Sequence, residues 1–160
     1  MRTKAVRISK IDVKANLEKL FALDVEIAKA APTLLSLETK EKLFNFLMEE
    51  HDSETWVLKD QNGRFLGYLS IVDKPKEAAL EILNIGIDPE FQGKGHGREM
   101  IEFAEKIAVE SGRGKITTVT NKKNLKAIGF FKHLGYKIVK AIDNYYGDGE
   151  TRYLFEKSLE

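Results

Sequence analysis

The sequence predicts an α/β fold with a single mixed sheet. Apolar spacing of period two and of period 3.6 alternates along the chain in the order β-α-α-β-β-β-α-β-α-β-β. This order combines hairpins with two strand-helix-strand units, and the combination requires both antiparallel and parallel pairing. A length of 160 residues and a hydrophobic fraction of 42% fit one domain with its own core, over residues 1–160.

One strand and two helices are predicted in the first third of the chain. Lys4–Ser9 alternates between apolar and polar residues, as a short strand does. Leucines and other apolar residues at helical spacing predict helices over Val13–Ala30 and Leu37–Glu50. Ser36 or Thr39 is the expected N-cap of the second helix.

A hairpin and a central strand come next. Thr55–Lys59 and Arg64–Val72 are predicted strands, and Asn62-Gly63 between them favours a tight turn with positive φ. Ala79–Ile87 is almost continuously apolar, which is typical of a strand buried on both faces. Gly86 within it predicts either a bulge or a close approach of another element.

The last third of the chain alternates helices and strands. A helix is predicted over Gly95–Glu110, a β-branched strand over Lys115–Thr120 and a short helix over Asn124–His133. Two closing strands are predicted over Tyr136–Ile142 and Thr151–Glu156.

Composition excludes several classes of protein. The absence of cysteine excludes a disulfide scaffold, a thiolate zinc site and a cysteine nucleophile, and we expect no metal. A net charge of +1 gives no overall reason to expect a nucleic-acid partner. No apolar run is long enough to cross a bilayer and no signal-peptide core follows Met1, so we expect a cytoplasmic protein without a membrane partner.

The charge is distributed unevenly. Gln92–Lys137 carries ten Lys or Arg against four Glu, a local charge of +6, whereas Ser36–Asp60 carries three Lys against seven acids, a local charge of −4. This asymmetry suggests an anionic ligand at one end and a cationic one at the other, although scattered solvated side chains would give the same counts.

A glycine-rich turn, Gln92–Gly97, lies between the central strand and a helix. Such a turn exposes backbone N–H groups at the positive end of the helix dipole, which favours binding of phosphate. Arg98 in the first helical turn would be unfavourable to the dipole unless an anion is bound. A Walker loop is excluded because Gly95, not Ser or Thr, follows Lys94, and the dinucleotide fingerprint is excluded because the glycine spacing is one residue short.

The order of motifs from Leu80 to Tyr136 resembles the GNAT acyltransferase superfamily. The resemblance comprises the strand Ile82–Ile87, the stretch Asp88–Gly97 with Gln92-x-x-Gly95-x-Gly97, Asn124-x-x-Ala127-x-x-Phe130-Phe131 and Leu134-Gly135-Tyr136. It implies one GNAT-like acyltransferase domain with an α+β sandwich-like architecture. In such a domain the sheet is mostly antiparallel with six to seven strands, a central parallel splayed pair and helices on both faces.

The resemblance also implies acetyl-CoA as cosubstrate. The backbone from Asn84 onward would pair with the pantetheine arm, and the glycine turn with Arg98 would hold the pyrophosphate. Carried over residue by residue, the expected cofactor-binding set is Ile85, Gly86, Ile87, Gln92, Gly93, Lys94, Gly95, His96, Gly97, Arg98, Asn124, Ala127 and Phe131.

Catalysis requires a base, because an ammonium with a pKa near ~10.4 is not a nucleophile. Glu81 is the first candidate, since a carboxylate in an apolar strand is costly, although it could equally be a solvent-facing residue at the strand end. Asn84 could position a water. Many family members have Tyr where this chain has Phe131, so another hydroxyl, that of Tyr136, Tyr145 or Tyr146, or a water would protonate the leaving thiolate, and water or Tyr145 and Tyr146 are favoured.

The resemblance implies an acetyl-CoA-dependent N-acetyltransferase that acts directly on a primary amine through a base-assisted ternary complex. The amine is a small molecule, a peptide or protein N-terminus or a lysine, and the sequence does not choose among them. The segment Asn144–Glu150 resembles a peptide-holding loop, but an ordinary hairpin loop has the same composition. A non-catalytic acyl-CoA-binding regulatory module is the alternative, since Phe131 lacks a hydroxyl. Nucleic-acid binding through Lys122, Lys123 and their neighbours is the least favoured interpretation, and a homodimer is compatible with the family.

Overall fold

A computed structural model describes residues 6–30, 39–48 and 53–159. Within these ranges the chain forms seven strands and four α-helices in the predicted order. The elements are β1 (Arg7–Ile11), α1 (Leu17–Ala30), α2 (Lys40–Met48), β2 (Ser53–Lys59), β3 (Phe65–Lys74), β4 (Ala79–Ile87), α3 (His96–Glu110), β5 (Lys115–Asn121), α4 (Leu125–His133), β6 (Lys137–Ile142) and β7 (Arg152–Ser158). Single 3-10 turns at Pro75–Glu77 and Pro89–Phe91 flank β4.

The strands form one sheet in the order β1-β2-β3-β4-β5-β7-β6. Every neighbouring pair is antiparallel except β4 and β5, which are parallel and joined through α3. This arrangement confirms the predicted mixed, mostly antiparallel sheet with one central parallel pair.

The central pair of strands diverges. β4 and β5 pair only where Ala79–Ile82 lies beside 115–118, and the Thr118 hydroxyl donates to the carbonyl of Ile82 at 3.2 Å at the last pair. Beyond this point β4 continues to Ile87 and β5 to Asn121 without pairing with each other. The predicted splay is therefore present, and it leaves a gap in the middle of the sheet.

The two faces of the sheet carry separate cores, with helices on both. On one face α3 and α4 bury Met100 and Phe131 against strand residues such as Ile82 and Phe155. On the other face α1 and α2 pack against strand residues that include Tyr68. Each core buries apolar side chains that both helices and strands contribute, which stabilises the layers through the hydrophobic effect.

Of the two alternatives predicted for Gly86, the structure shows the close approach of another element. A Cβ at Gly86 would lie 2.6 Å from Cδ1 of Ile27, so the Ile27 side chain on α1 occupies the space that a side chain at position 86 would need. The register shift between β3 and β4 occurs instead at Leu83, the residue between the partners of Ile71 and Ser70. The interlock of Gly86 with Ile27 fixes the position of α1 over the gap.

The ends of the N-terminal elements differ from the predicted ones. α1 begins at Leu17 rather than at Val13, because the Asp12 carboxylate accepts the N–H of Ala15 at 2.8 Å and holds the preceding residues in a turn. The Thr39 hydroxyl accepts the N–H of Lys42 at 3.1 Å and caps α2. Ser36, the other predicted cap, lies outside the described residues.

Candidate active site

A cleft of about 410 Å³ lies where β4 and β5 diverge. Its walls come from both faces of the sheet: α1, α2 and β3 on one side, and the glycine turn, α3 and α4 on the other. The unpaired ends of β4 and β5 form its floor, and residues at the start of β7 close it. This cleft is the candidate active site.

The glycine turn presents backbone donors to the cleft. Gly93 and Gly95 have φ of 76° and 85°, and a Cβ at either position would meet nothing within 4 Å. The first bond of α3 runs from the N–H of Glu99 to the carbonyl of Gly95 at 3.0 Å. The preceding N–H groups of His96 and Gly97 have no acceptor among the described residues, so they are available to an anion.

Side-chain bonds hold this turn in place. The Gln92 amide donates to the carbonyl of Ile87 at 2.9 Å, which ties the turn to the end of β4. The Lys126 ammonium in turn donates to the Gln92 side chain at 2.6 Å and brings a positive charge from α4 to the cleft. At Gly97 a Cβ would lie 3.3 Å from the Phe130 ring, so the glycine allows α3 and α4 to pack closely.

Most of the expected cofactor residues line the cleft. These are Ile85, Gly86, Ile87, Gln92, Gly93, Gly95, His96, Gly97, Arg98, Asn124, Ala127 and Phe131. Lys94 does not line it, because its ammonium lies over the ring of Phe91, 5.2 Å from the centroid. Arg98, the cation at the helix start, is paired with Glu102 one turn later at 2.9 Å.

Two of the residues on α4 have structural partners as well. The Asn124 side chain accepts the N–H of Ala127 at 3.1 Å and so caps α4 while it lines the cleft. Phe131 is 3% exposed and packs against the rings of Tyr136 and Phe155. The Tyr136 hydroxyl donates to Glu105 at 2.9 Å and does not line the cleft, so it is not placed to act there.

A buried polar chain that the sequence analysis missed crosses the floor of the cleft. The Asn84 amide donates to the Tyr68 hydroxyl oxygen at 2.6 Å, and the Tyr68 hydroxyl donates to Oδ1 of Asp24 at 2.8 Å. Burial raises the pKa of Asp24, and burial together with the neighbouring Asp24 carboxylate raises the pKa of Tyr68 well above its ordinary value. One signal for it was available: Asp24 follows Leu20 and Leu23 on the apolar face of a predicted helix.

The two predicted candidates on β4 are placed differently. Asn84 lies beyond the bulge, on the unpaired part of the strand, and lines the cleft. Glu81 lies in the paired part, between Val72 of β3 and Thr117 of β5, and does not line the cleft. The structure therefore brings Asn84, but not Glu81, to the proposed reaction site.

The end of the cleft near β7 contains a buried cation. Arg152 is 3% exposed, and its Nη1 donates to Oδ1 of Asp148 at 2.8 Å. That hydrogen bond lowers the pKa of Asp148. The ring of Tyr146 covers the guanidinium at 5.0 Å, and Tyr146 lines the cleft, whereas Tyr145 packs on Tyr146 at 4.7 Å and does not line it. Sequence analysis had not singled out Arg152.

Within 6–30, 39–48 and 53–159, no three His, Asp or Glu side chains come together as metal ligands. None of the helices in these ranges has the length and apolar character needed to cross a bilayer.

Comparison with known proteins identifies the family. A sequence profile of the acetyltransferase (GNAT) family matches residues 20–136. The peptidyl-lysine N-acetyltransferase YjaB of Escherichia coli is 27% identical over 122 residues, which cover 76% of each chain. The L-2,4-diaminobutyric acid acetyltransferase of Vibrio parahaemolyticus is 31% identical over 100 residues, covering 61% of this chain and 55% of that protein.

The fold is shared with solved structures as well. The ribosomal-protein-S18-alanine N-acetyltransferase from Escherichia coli superposes with a TM-score of 0.77 at 18% identity, over 98% of this chain and 95% of that one. The profile match covers the glycine turn, the diverging strands and α4, which carried the resemblance in the sequence. The resemblance is thereby confirmed: the chain belongs to the acetyltransferase (GNAT) family and is an N-acetyltransferase.

Proposed function

We propose that this enzyme uses acetyl-CoA and transfers the acetyl group directly to a primary amine. The observation that carries the proposal is a single cleft with two chemically different ends. One end has unpaired backbone donors on the glycine turn and the Lys126 ammonium, which suit an anion. The other end has the buried carboxyl group of Asp24, which suits a cation.

The family generally uses acetyl-CoA, and the residues of this chain fit that ligand. The N–H groups at the start of α3 would hold the pyrophosphate, and Lys126, which lines the cleft beside Gln92, would bind a further phosphate group. The edge of β4 that faces β5 has no strand partner beyond Ile82, so its amide groups can pair with those of the pantetheine arm.

When bound, acetyl-CoA supplies a thioester carbonyl that a neutral amine attacks, so that the C–N bond forms as the C–S bond breaks. The backbone donors of β4 would stabilise the negative charge that develops on the carbonyl oxygen. The walls of the cleft would hold the amine in line with the thioester carbonyl.

The leaving thiolate needs little help from the protein. A thiol has an ordinary pKa of ~8.5, so water can protonate the thiolate near neutral pH. Phe131 has no proton to donate, and Tyr145 does not line the cleft. Two phenols line the cleft: that of Tyr68 donates its proton to Asp24, and that of Tyr146 is 41% exposed. We assign protonation to water, with Tyr146 as a wall of the cleft.

A non-catalytic acyl-CoA-binding module is the second candidate. The specific observation in its favour is that Phe131 lines the cleft with an apolar ring at the position where many family members have Tyr. Such a module would bind CoA at the glycine turn without consuming the thioester.

One assay separates the two. Release of CoA thiol from acetyl-CoA is followed with a panel of amines that includes a lysine peptide, L-2,4-diaminobutyrate and spermidine, and the acetylated product is identified by mass spectrometry. Amine-dependent release supports transfer. Calorimetric binding of CoA without release on any amine would refute the transferase proposal and favour the binding module.

A further inference from the structure

We propose that Asp24 binds the ammonium group of the acceptor and takes its proton, and that Tyr68 and Asn84 position Asp24 for this role. The inference rests on the proposed transfer to an amine and names the residue on which that transfer depends. Glu81, the candidate from the sequence, does not reach the cleft.

The first argument is the placement of Asp24. It lies on α1, is 9% exposed and lines the cleft. Among the described residues no Lys, Arg or His forms an ion pair with it. Since a buried carboxylate is ordinarily compensated by a cation, an Asp without one in a ligand cleft is suited to a ligand that carries the positive charge.

The second argument is the direction of the hydrogen bonds. The Tyr68 hydroxyl uses its only proton on Oδ1 of Asp24, and its oxygen accepts the Asn84 amide. Oδ2 of Asp24 has no protein partner in the described part of the chain. Every fully buried side-chain oxygen in the described residues has a hydrogen bond, so Oδ2 keeps some solvent exposure, and Asp24 lines the cleft. Oδ2 is therefore the oxygen that faces an incoming amine.

The third argument is that hydrogen bonds connect Asp24 to the strand edge where the thioester would lie. Asn84 lies on the unpaired edge of β4, the edge that would pair with the pantetheine arm. Two short hydrogen bonds connect this edge to Asp24 through Tyr68. The interlock of Ile27 with Gly86, one helical turn after Asp24, holds α1 against the same strand. Asp24 is thus fixed relative to the place where the thioester would lie.

The proton balance is simple. The ammonium gives one proton to Oδ2 of Asp24, and the neutral amine then forms the C–N bond. The second proton lost by the nitrogen leaves with the thiolate as the CoA thiol, and Asp24 returns its proton to water. Burial raises the pKa of Asp24 and narrows the gap to the pKa of an alkylammonium, ~10.4.

The surroundings of Asp24 define the acceptor class. Ile27, Ala28, Phe46 and the Tyr146 ring line the same side of the cleft, and they would pack around an apolar stem. The acceptor is accordingly a primary alkylammonium rather than an aromatic amine that is neutral at physiological pH.

The test compares Asp24→Asn with Glu26→Gln, a substitution of an exposed acid on the same helix. Asp24→Asn is expected to lower kcat/KM for n-butylamine, or for the best amine of the panel, by about 10²-fold or more, the usual range for loss of a general base. Glu26→Gln should change it by less than about twofold. Affinity for CoA, measured by calorimetry, should be the same in both variants.

A weakly basic amine provides the decisive readout. 2,2,2-Trifluoroethylamine is mostly neutral at pH 7.5, so it needs neither an anion to bind it nor a base to deprotonate it. Asp24→Asn should therefore lower kcat/KM for this amine much less than it lowers kcat/KM for n-butylamine. An equal loss with both amines would mean that Asp24 is merely structural and would overturn the proposal, as would retention of activity on n-butylamine within threefold.

Tyr68→Phe tests the positioning role. It should shift the acid limb of the kcat/KM–pH profile while the affinity for CoA stays constant, whereas an unchanged profile would remove Tyr68 from the proposal. Tyr68 is the titratable group in contact with Asp24. The other titratable or charged side chains lining the cleft are His96, Arg98, Lys126, Tyr146 and Arg152.

Binding of n-butylammonium to the protein, followed by NMR without acetyl-CoA, separates the proposal for Asp24 from the proposal of acetyl transfer. Binding to the wild type that Asp24→Asn abolishes supports the Asp24 site even if no amine is acetylated. Turnover of alkylamines that survives Asp24→Asn refutes the Asp24 site and leaves the transferase proposal intact.

Discussion

Ile27 of α1 packs directly onto the backbone of Gly86 in β4, with Cδ1 2.6 Å from the point that a Cβ would occupy. The Ile27 side chain is what separates helix and strand at this point, because Gly86 contributes none. Because Asp24 precedes Ile27 by one helical turn, this contact sets the height of the proposed acceptor site above the strand.

We therefore expect Gly86→Ala to displace α1 and to raise the KM for the amine severalfold, with a stability loss of about 1–3 kcal/mol from overpacking. Ile27→Val removes Cδ1, so the double variant should recover much of the loss. Kinetics and urea unfolding of the two single variants and the double variant check this. Additive losses would contradict the predicted clash.

The glycine turn gives a second prediction. Gly95→Glu should abolish measurable binding of CoA, because the new carboxylate repels phosphate at the helix start. Gly112→Glu is a matched control: Gly112 has φ of 74°, a Cβ there also meets nothing within 4 Å, and it lies at the other end of α3, away from the cleft. Both variants carry the same backbone strain, so calorimetry that shows equal loss of binding would argue against a phosphate site at the turn.

Asp24 predicts a dependence of stability on pH. Its pKa in the folded protein is raised above 3.8, so the folded state holds the proton more tightly than the unfolded state does. The free energy of unfolding should therefore fall as pH rises from about 4 through the raised pKa, and stay level above it. Asp24→Asn should be more stable than the wild type at pH 7, and the difference should shrink toward pH 4. Thermal unfolding of both proteins at several pH values measures this difference in stability. An Asp24→Asn variant that is less stable than the wild type at pH 7 would contradict the prediction.

Tyr146 lies over Arg152 and has a hydroxyl near the cleft, so two substitutions separate its ring from its phenol. Tyr146→Phe should change kcat by less than about threefold if water protonates the thiolate, since a thiol pKa of ~8.5 needs little assistance. Tyr146→Ala should raise the KM for the amine, because it removes a wall of the acceptor side. A loss of kcat in Tyr146→Phe larger than tenfold would instead identify the phenol as the acid.

Glu81→Gln distinguishes the sequence-based candidate from the structural one. Glu81 lies where β4 is still paired on both sides, so we expect kcat to remain within about twofold of the wild type. The same steady-state assay on Asp24→Asn supplies the comparison. A large loss in Glu81→Gln with a shifted pH profile would restore Glu81 as the base.

The sequence was sufficient to predict the elements and most of the residues that line the glycine-turn side of the cleft, because both depend on local patterns. The apolar run of β4, predicted over Ala79–Ile87, matches the strand, and the glycine spacing located the turn before α3. The acceptor side could not be predicted in this way. Asp24 and Tyr68 are 44 residues apart in the chain, and only the packing of α1 on β3 brings them together. The sequence pattern indicates only an ordinary strand residue at Arg152. Its burial depends on the loop that precedes it, which the local pattern does not predict.

The divergence of β4 from β5 has a consequence for stability. The ladder between β4 and β5 has four residue pairs in the described residues, so strand pairing between β1–β4 and the half formed by β5, β7 and β6 is short, and the core under α3 and α4 spans both halves. An extended ligand with amide groups that enters the gap would act as a surrogate strand and continue the hydrogen-bonded ladder between β4 and β5. Such a ligand would satisfy backbone groups in the middle of the sheet that have no strand partner, so its binding should raise the stability of the central strands against unfolding.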